Sequence, residues 1–146
     1  MRYWDSSAVV PLLIQQQRTE LVTRWRADDP IIIVWWGTSI ECVSAIARLL
    51  RGGSIQRSAA ATGFERLHAF AAEWVEMDPS EAIRETASRL LRAHPLRTAD
   101  ALQLAAALRY VDESGETLPF VSFDERLQIA ARAERFPIVG NVERGS

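Results

Sequence analysis

A chain of 146 residues with a formal net charge of −2 can bury one substantial core and fits a single domain over residues 1–146. Its hydrophobic fraction of 48% argues against disorder, no apolar run reaches membrane-spanning length ("IIIVWW" is too short), and no secretory signal opens the chain. One cysteine, Cys42, rules out an intrachain disulfide and a cysteine metal cluster, so a reducing cytoplasm is the expected setting.

The elements then follow in order. "RYW" with Asp5 suggests a short strand over about 2–5, and a helix runs from Ser6 or Ser7 to about Gln17, with Pro11 near its first turn. "TELVTRWRA" is a second short helix ended by "DDP". "IIIVWW" has the length and uniform apolarity of a buried parallel strand. "GTSIECVSAIARLLRGG" switches to helical spacing and stops at paired glycines. "SIQRSAAATGFERLHAFAAEWVEM" reads as one longer helix region, with Phe64, Leu67, Phe70, Ala71 and Trp74 as its apolar stripe. Gly63 weakens its middle or marks a break.

"DPSEAIRETASRLLRAH" reads as a helix with Asp78 as cap, Pro79 first and Glu81 closing a capping box. "PLRTADALQLAAALRY" is a helix, "DESGE" a turn, "LPFVSF" a strand, "DERLQIAARAERF" a helix and "PIVGN" a last short strand. Short apolar strands alternating with helices predict a three-layer α/β/α sandwich around a short, mostly parallel sheet. The tail "NVERGS" is expected to fray.

Four carboxylates fall at element boundaries. Asp5 follows a strand, Glu41 and Asp100 lie in first helical turns, and Asp124 follows "FVSF" and opens a helix. Strand-to-helix junctions of a parallel sheet converge on one edge, so these residues can meet. Four clustered acids repel unless a proton or cation sits between them. Oxygen donors without nearby histidine or cysteine suit Mg²⁺ or Mn²⁺, which can activate water and neutralise charge on a scissile phosphate. The plainer alternative is structural: acids favour first helical turns, Thr38 with Glu41 and Ser122 with Glu125 have capping-box spacing, and hydroxyls recur beside the acids. Asp100 resists that reading, because "TADALQLAAAL" surrounds it with small apolar residues. Cys42 reads as a small core residue, while His68, on the aromatic stripe, and His94, before a proline, read as structural.

The stretches "YWDSSAVVPLL", "TSIECVSAIARL", "RTADALQLAAAL" and "PFVSFDERLQIAARAERFPIV" resemble, in that order and over residues 2 to 139, a PIN domain of the VapC-like toxin ribonuclease type. The resemblance implies that Asp5, Glu41, Asp100 and Asp124 are catalytic and metal-binding, with Ser7 and Ser122 as supporting hydroxyls. It implies divalent-metal-dependent endoribonuclease activity, with Mg²⁺ or Mn²⁺ as cofactor and RNA as substrate. It also implies a role as the toxin of a toxin–antitoxin pair, with a small antitoxin as partner. One departure is "AERFP", which replaces a common glycine and alters a turn.

All 17 basic residues are arginine, a good fork for phosphate, although GC-rich coding yields the same bias. Arg48, Arg51, Arg57, Arg97 and Arg126 are candidates to cover an acidic site. Arg97 leads as an RNA contact, with pairing to an acid as its alternative. The aromatic stripe and Trp25, Trp35 and Trp36 suit either the core or a partner surface, a homodimer included. A DNA nuclease, a phosphatase and a catalytically silent interaction domain are the competing readings.

Overall fold

The structure, a computed structural model, describes residues 1–140; "NVERGS" lies outside the described residues. Ile32–Trp35 and Phe120–Val121 are uniformly apolar strands because both faces of the sheet are covered there. β1 (Arg2–Trp4), β2 (Ile32–Trp35), β3 (Val75–Met77), β4 (Phe120–Val121) and β5 (Ile138–Val139) pair in the order β3-β2-β1-β4-β5. Every described pair is parallel, with Tyr3 opposite both Ile33 and Phe120. The helices are α1 (Ser6–Leu13), α2 (Thr19–Asp28), α3 (Thr38–Arg51), α4 (Arg57–Glu73), α5 (Glu81–Ala93), α6 (Thr98–Ser114) and α7 (Glu125–Ala133).

The two-residue period of a strand divides the core in two. Tyr3, Ile33, Trp35 and Phe120 pack with residues of α5, α6 and α7, while Trp4, Ile32, Val34 and Val121 pack with α1 to α4. Burying each such large side chain contributes about 1.5–3 kcal/mol. On α6 the small residues Ala101, Ala105, Ala106 and Ala107 are all buried, letting its backbone lie close to the sheet. The result is the expected α/β/α sandwich.

Several boundaries differ from expectation. The long helix region ends at Glu73, and Val75–Met77 pairs with β2 instead of continuing it. Pairing with a strand about forty residues earlier in the chain is a tertiary relation that local periodicity does not show. α1 stops at Leu13, and Pro11 is its sixth residue, so the helix turns off soon after a missing N–H. α5 is capped not by Asp78 but by Ser80, whose Oγ accepts from Ile83 N at 3.2 Å.

Gly63 does not break α4; a Cβ there would stand 2.5 Å from Ile14 Cδ1 and 3.3 Å from Ile46 Cδ1, so glycine allows the close approach. Of the expected stripe, Leu67 and Trp74 are buried and Phe70 is half-buried, but Phe64 and Ala71 are exposed, as is His68. Trp35 is buried, Trp25 stacks on Phe123 at 5.5 Å, and Trp36 is 53% exposed. Where "AERFP" replaces a glycine, Arg135 holds the left-handed conformation at φ 73°. Among the described residues no helix is long and apolar enough to cross a membrane.

Candidate active site

Parallel strands bring the β-to-α junctions to one edge of the sheet, and β1 is the switch point. From it the chain passes to β2 and β3 on one side, then returns to β4 and β5 on the other. Asp5 directly follows β1, and Asp124 lies three residues beyond β4. A cleft of about 890 Å³ opens there, and Asp5, Glu41, Asp100 and Asp124 all line it. Arg48, Arg97 and Arg126 line it too, whereas Arg51 and Arg57 do not.

Asp5 is only 3% exposed and does two jobs. As the residue before α1 it accepts from Ser7 N at 3.3 Å. Its Oδ2 also accepts from both expected hydroxyls, Ser7 Oγ and Ser122 Oγ, the latter at 3.0 Å. Each hydroxyl in turn accepts a backbone N–H from the β4–α7 loop: Phe123 N to Ser7 Oγ and Asp124 N to Ser122 Oγ, both at 3.0 Å. Two N–H donors thus reach one carboxylate through two serines. Burial pushes the Asp5 carboxyl up, the serine bonds oppose that rise, and the charge of Asp124 adds to it.

Neither expected capping box forms. α3 begins after Gly37, and Thr38 is buried with its hydroxyl against Gln103, so Glu41 is free of a capping role. Its Oε2 instead accepts from Gln103 Nε2 at 2.7 Å. Burial pushes Glu41 up, bonds from Ser6 and Gln103 lower it, and the charges of Asp5 and Asp100 raise it again. At α7 the cap is Asp124 itself, whose Oδ1 accepts from Leu127 N at 3.0 Å, while Ser122 serves Asp5. Asp100, in the first turn of α6, is pushed up by burial and by Asp124; the Arg97 backbone and the Arg97 and Arg126 charges pull it down. Among the described residues Arg48, Arg97 and Arg126, which line the cleft, form no ion pair within 4 Å.

The donor chemistry suits a hard divalent ion: carboxylates held above their usual range by burial and mutual repulsion, with hydroxyls as helpers. The spacing is open. Among the described residues no three His, Cys, Asp or Glu side chains stand closely enough to form a ligand group as placed. Outside the site, Cys42 is buried with its thiol pushed up to about 12, an inert core residue. His94 Nε2 lies 3.5 Å from Glu134 Oε1, away from the cleft.

Sequence reading missed Gln103. It is fully buried, and its Oε1 accepts from Tyr3 Oη at 2.8 Å while its amide nitrogen reaches Glu41 and Thr38. The available signal was a lone amide inside "ALQLAAAL", three residues after Asp100 and so on the same face of the helix.

No curated protein sequence matches the chain. Solved structures do match. FitAcB from Neisseria gonorrhoeae is 17% identical, with 94% of this chain and 96% of that one covered and a TM-score of 0.65. VapC20 from Mycobacterium tuberculosis, a sarcin-ricin loop cleaving toxin, is 15% identical, with 96% and 98% covered and a TM-score of 0.66. FitAB bound to a DNA fragment is 16% identical, with 95% and 94% covered and a TM-score of 0.65. These likenesses carry the fold. The PIN domain model matches residues 2–133, which is nearly the whole described chain, and this protein therefore belongs to the PIN domain family.

Proposed function

We propose that this protein is a divalent-metal-dependent ribonuclease that hydrolyses RNA phosphodiester bonds, acting as the toxin of a toxin–antitoxin pair. The observation that carries the reading is the convergence of Asp5, Glu41, Asp100 and Asp124, from four separate elements, on one cleft bordered by three arginines. Asp5 and Asp100 would be the principal holders of Mg²⁺ or Mn²⁺, with Glu41 and Asp124 completing or orienting the set. A hard cation, when bound, supplies the positive charge that polarises water and offsets charge on a phosphate.

The chain's own residues do the rest. Ser7 and Ser122 hold Asp5 oriented toward the cleft, and Arg97 and Arg126 offer the phosphate a cationic border beside Asp100. No side-chain nucleophile is required. The sarcin-ricin loop cleavage of VapC20 is in keeping with a structured RNA as substrate. The partner expected for such a toxin is a small antitoxin covering the cleft.

One observation favours a second reading, a catalytically silent interaction domain: the open spacing of the carboxylates among the described residues. An RNA cleavage assay in Mg²⁺ or Mn²⁺, with and without EDTA, separates the two. The ribonuclease reading expects cleavage that EDTA abolishes and added metal restores. Cleavage that survives EDTA would overturn the metal mechanism, and no cleavage of any RNA in either metal would favour the silent domain.

A further inference from the structure

Behind Glu41 the core holds a polar strut that the hydrolytic reading leaves unused. Tyr3 of β1 and Gln103 of α6 are both fully buried, and Thr38 of α3 lies beside them. Tyr3 Oη stands 2.8 Å from Gln103 Oε1, and Gln103 Nε2 stands 2.7 Å from Glu41 Oε2 and 3.1 Å from Thr38 Oγ1. Buried polar groups on this scale are costly unless every one is satisfied, so a fully bonded trio is a rigid one.

The chemistry sets its direction. An ionised carboxylate only accepts, so the amide group 2.7 Å from Glu41 has to be the NH₂. That turns Oε1 toward Tyr3, whose O–H supplies the one proton at that contact. A flipped amide would set carbonyl oxygen against carboxylate oxygen at the same separation. The phenol therefore locks the amide, and the amide aims the acid. Asp100 and Gln103 are one turn apart on α6, so a single turn delivers one acid to the cleft and braces another.

We propose that Gln103 is a positioning residue: held in one orientation by the Tyr3 hydroxyl, it directs the Glu41 carboxylate into the cleft, ready for a divalent cation. The inference rests on the hydrolytic reading above. It differs from a packing role because the amide reaches the cleft through its bond to Glu41. Partners that orient a metal-binding side chain typically cost 10–100-fold in affinity or activity when removed.

The test is Mn²⁺ titration calorimetry on the RNA-free protein, with thermal unfolding beside it. Gln103→Met keeps side-chain length without the amide, and Tyr3→Phe removes only the hydroxyl. Mn²⁺ affinity should fall about 10–100-fold in Gln103→Met and less steeply in Tyr3→Phe. In a Glu41→Ala background, Gln103→Met should leave Mn²⁺ affinity where Glu41→Ala alone puts it. Unchanged affinity in both single variants, with only the melting temperature lowered, makes Gln103 a core residue and overturns the inference. Should Gln103→Met fail to fold, Tyr3→Phe decides alone, and wild-type affinity there overturns it. Affinity lost in Asp5→Asn but kept in both strut variants sinks this inference and leaves the hydrolytic reading standing; wild-type protein without Mn²⁺ affinity sinks both.

Discussion

The four acids of the cleft divide into two pairs that hold different places in the fold. Asp5 and Asp124 are N-caps: each carboxylate accepts a backbone N–H of the helix it opens, from Ser7 and from Leu127. Glu41 and Asp100 lie inside the first turns of α3 and α6, helices whose N-terminal residues, Gly37 and Arg97, make no side-chain cap bond. The capping pair therefore bonds to the first turn of its own helix, whereas Glu41 is held by the Gln103 amide of another helix and Asp100 by the backbone of Arg97. An acid in a first helical turn is uninformative in sequence because capping explains it. In the structure, the hydrogen-bond partner tells the two kinds apart.

The largest test of this division is Asp5→Asn. Asparagine caps as well as aspartate, so the fold should persist and the melting temperature should hold or rise, while loss of a metal-holding charge, worth several kcal/mol, lowers kcat/KM by about three orders of magnitude. Comparison of RNA cleavage rates and thermal melts checks both halves. Activity surviving this change would break the catalytic assignment of the capping pair.

Next in size is the contrast between alanine substitutions. Asp124→Ala should cost about 1 kcal/mol of stability through the lost cap, and Asp124→Asn should recover most of it. Glu41→Ala should show no such capping loss, although both alanine variants should lose activity. Failure of Asp124→Asn to recover, in urea melts, the stability lost in Asp124→Ala would erase the distinction.

Proton linkage sharpens it further. Asp5, Glu41 and Asp100 all titrate above their ordinary values in the fold, chiefly through burial. Between the ordinary and raised values the folded chain holds protons that the unfolded chain has released, so stability falls as pH rises through that window. The metal-free protein should therefore gain stability as pH drops from neutrality through the raised values, with the gain ending near the ordinary 3.8 to 4.5. Asp5→Asn should flatten the slope by removing one raised carboxyl, saturating Mg²⁺ should oppose the gain by favouring the ionised acids, and melting temperatures that fall as pH drops through that range would contradict the raised values.

The smallest effect belongs to Arg97, which precedes α6 without capping it. Arg97→Gln should leave stability unchanged, raise KM for RNA and reduce the salt dependence of binding by about one phosphate contact. A lowered melting temperature with unchanged KM would mean that Arg97 serves Asp100 instead.

Much of this was legible in the chain. Uniform apolar runs such as "IIIV" and "FV" mark strands covered on both faces, and acids after "RYW" and "FVSF" mark the edge where a parallel sheet gathers its junctions. Two of the departures from expectation share a cause. Val75–Met77 pairs with β2 at the sheet edge, and Gly63 lets Ile14 and Ile46 approach α4 closely. In neither case is the deciding neighbour within a turn of the residue it decides.

The site follows the same rule. Residue identity and order by themselves determined that four carboxylates would stand at helix starts along a parallel sheet, because periodicity and boundary signals are local. Only the tertiary structure decided what holds Asp5 and Glu41: serine hydroxyls that join loop N–H groups to Asp5, and a buried amide 62 residues away in sequence that bonds to Glu41. A hydrogen bond is made by whatever group the packed core delivers within about 3 Å, and no local pattern carries that information.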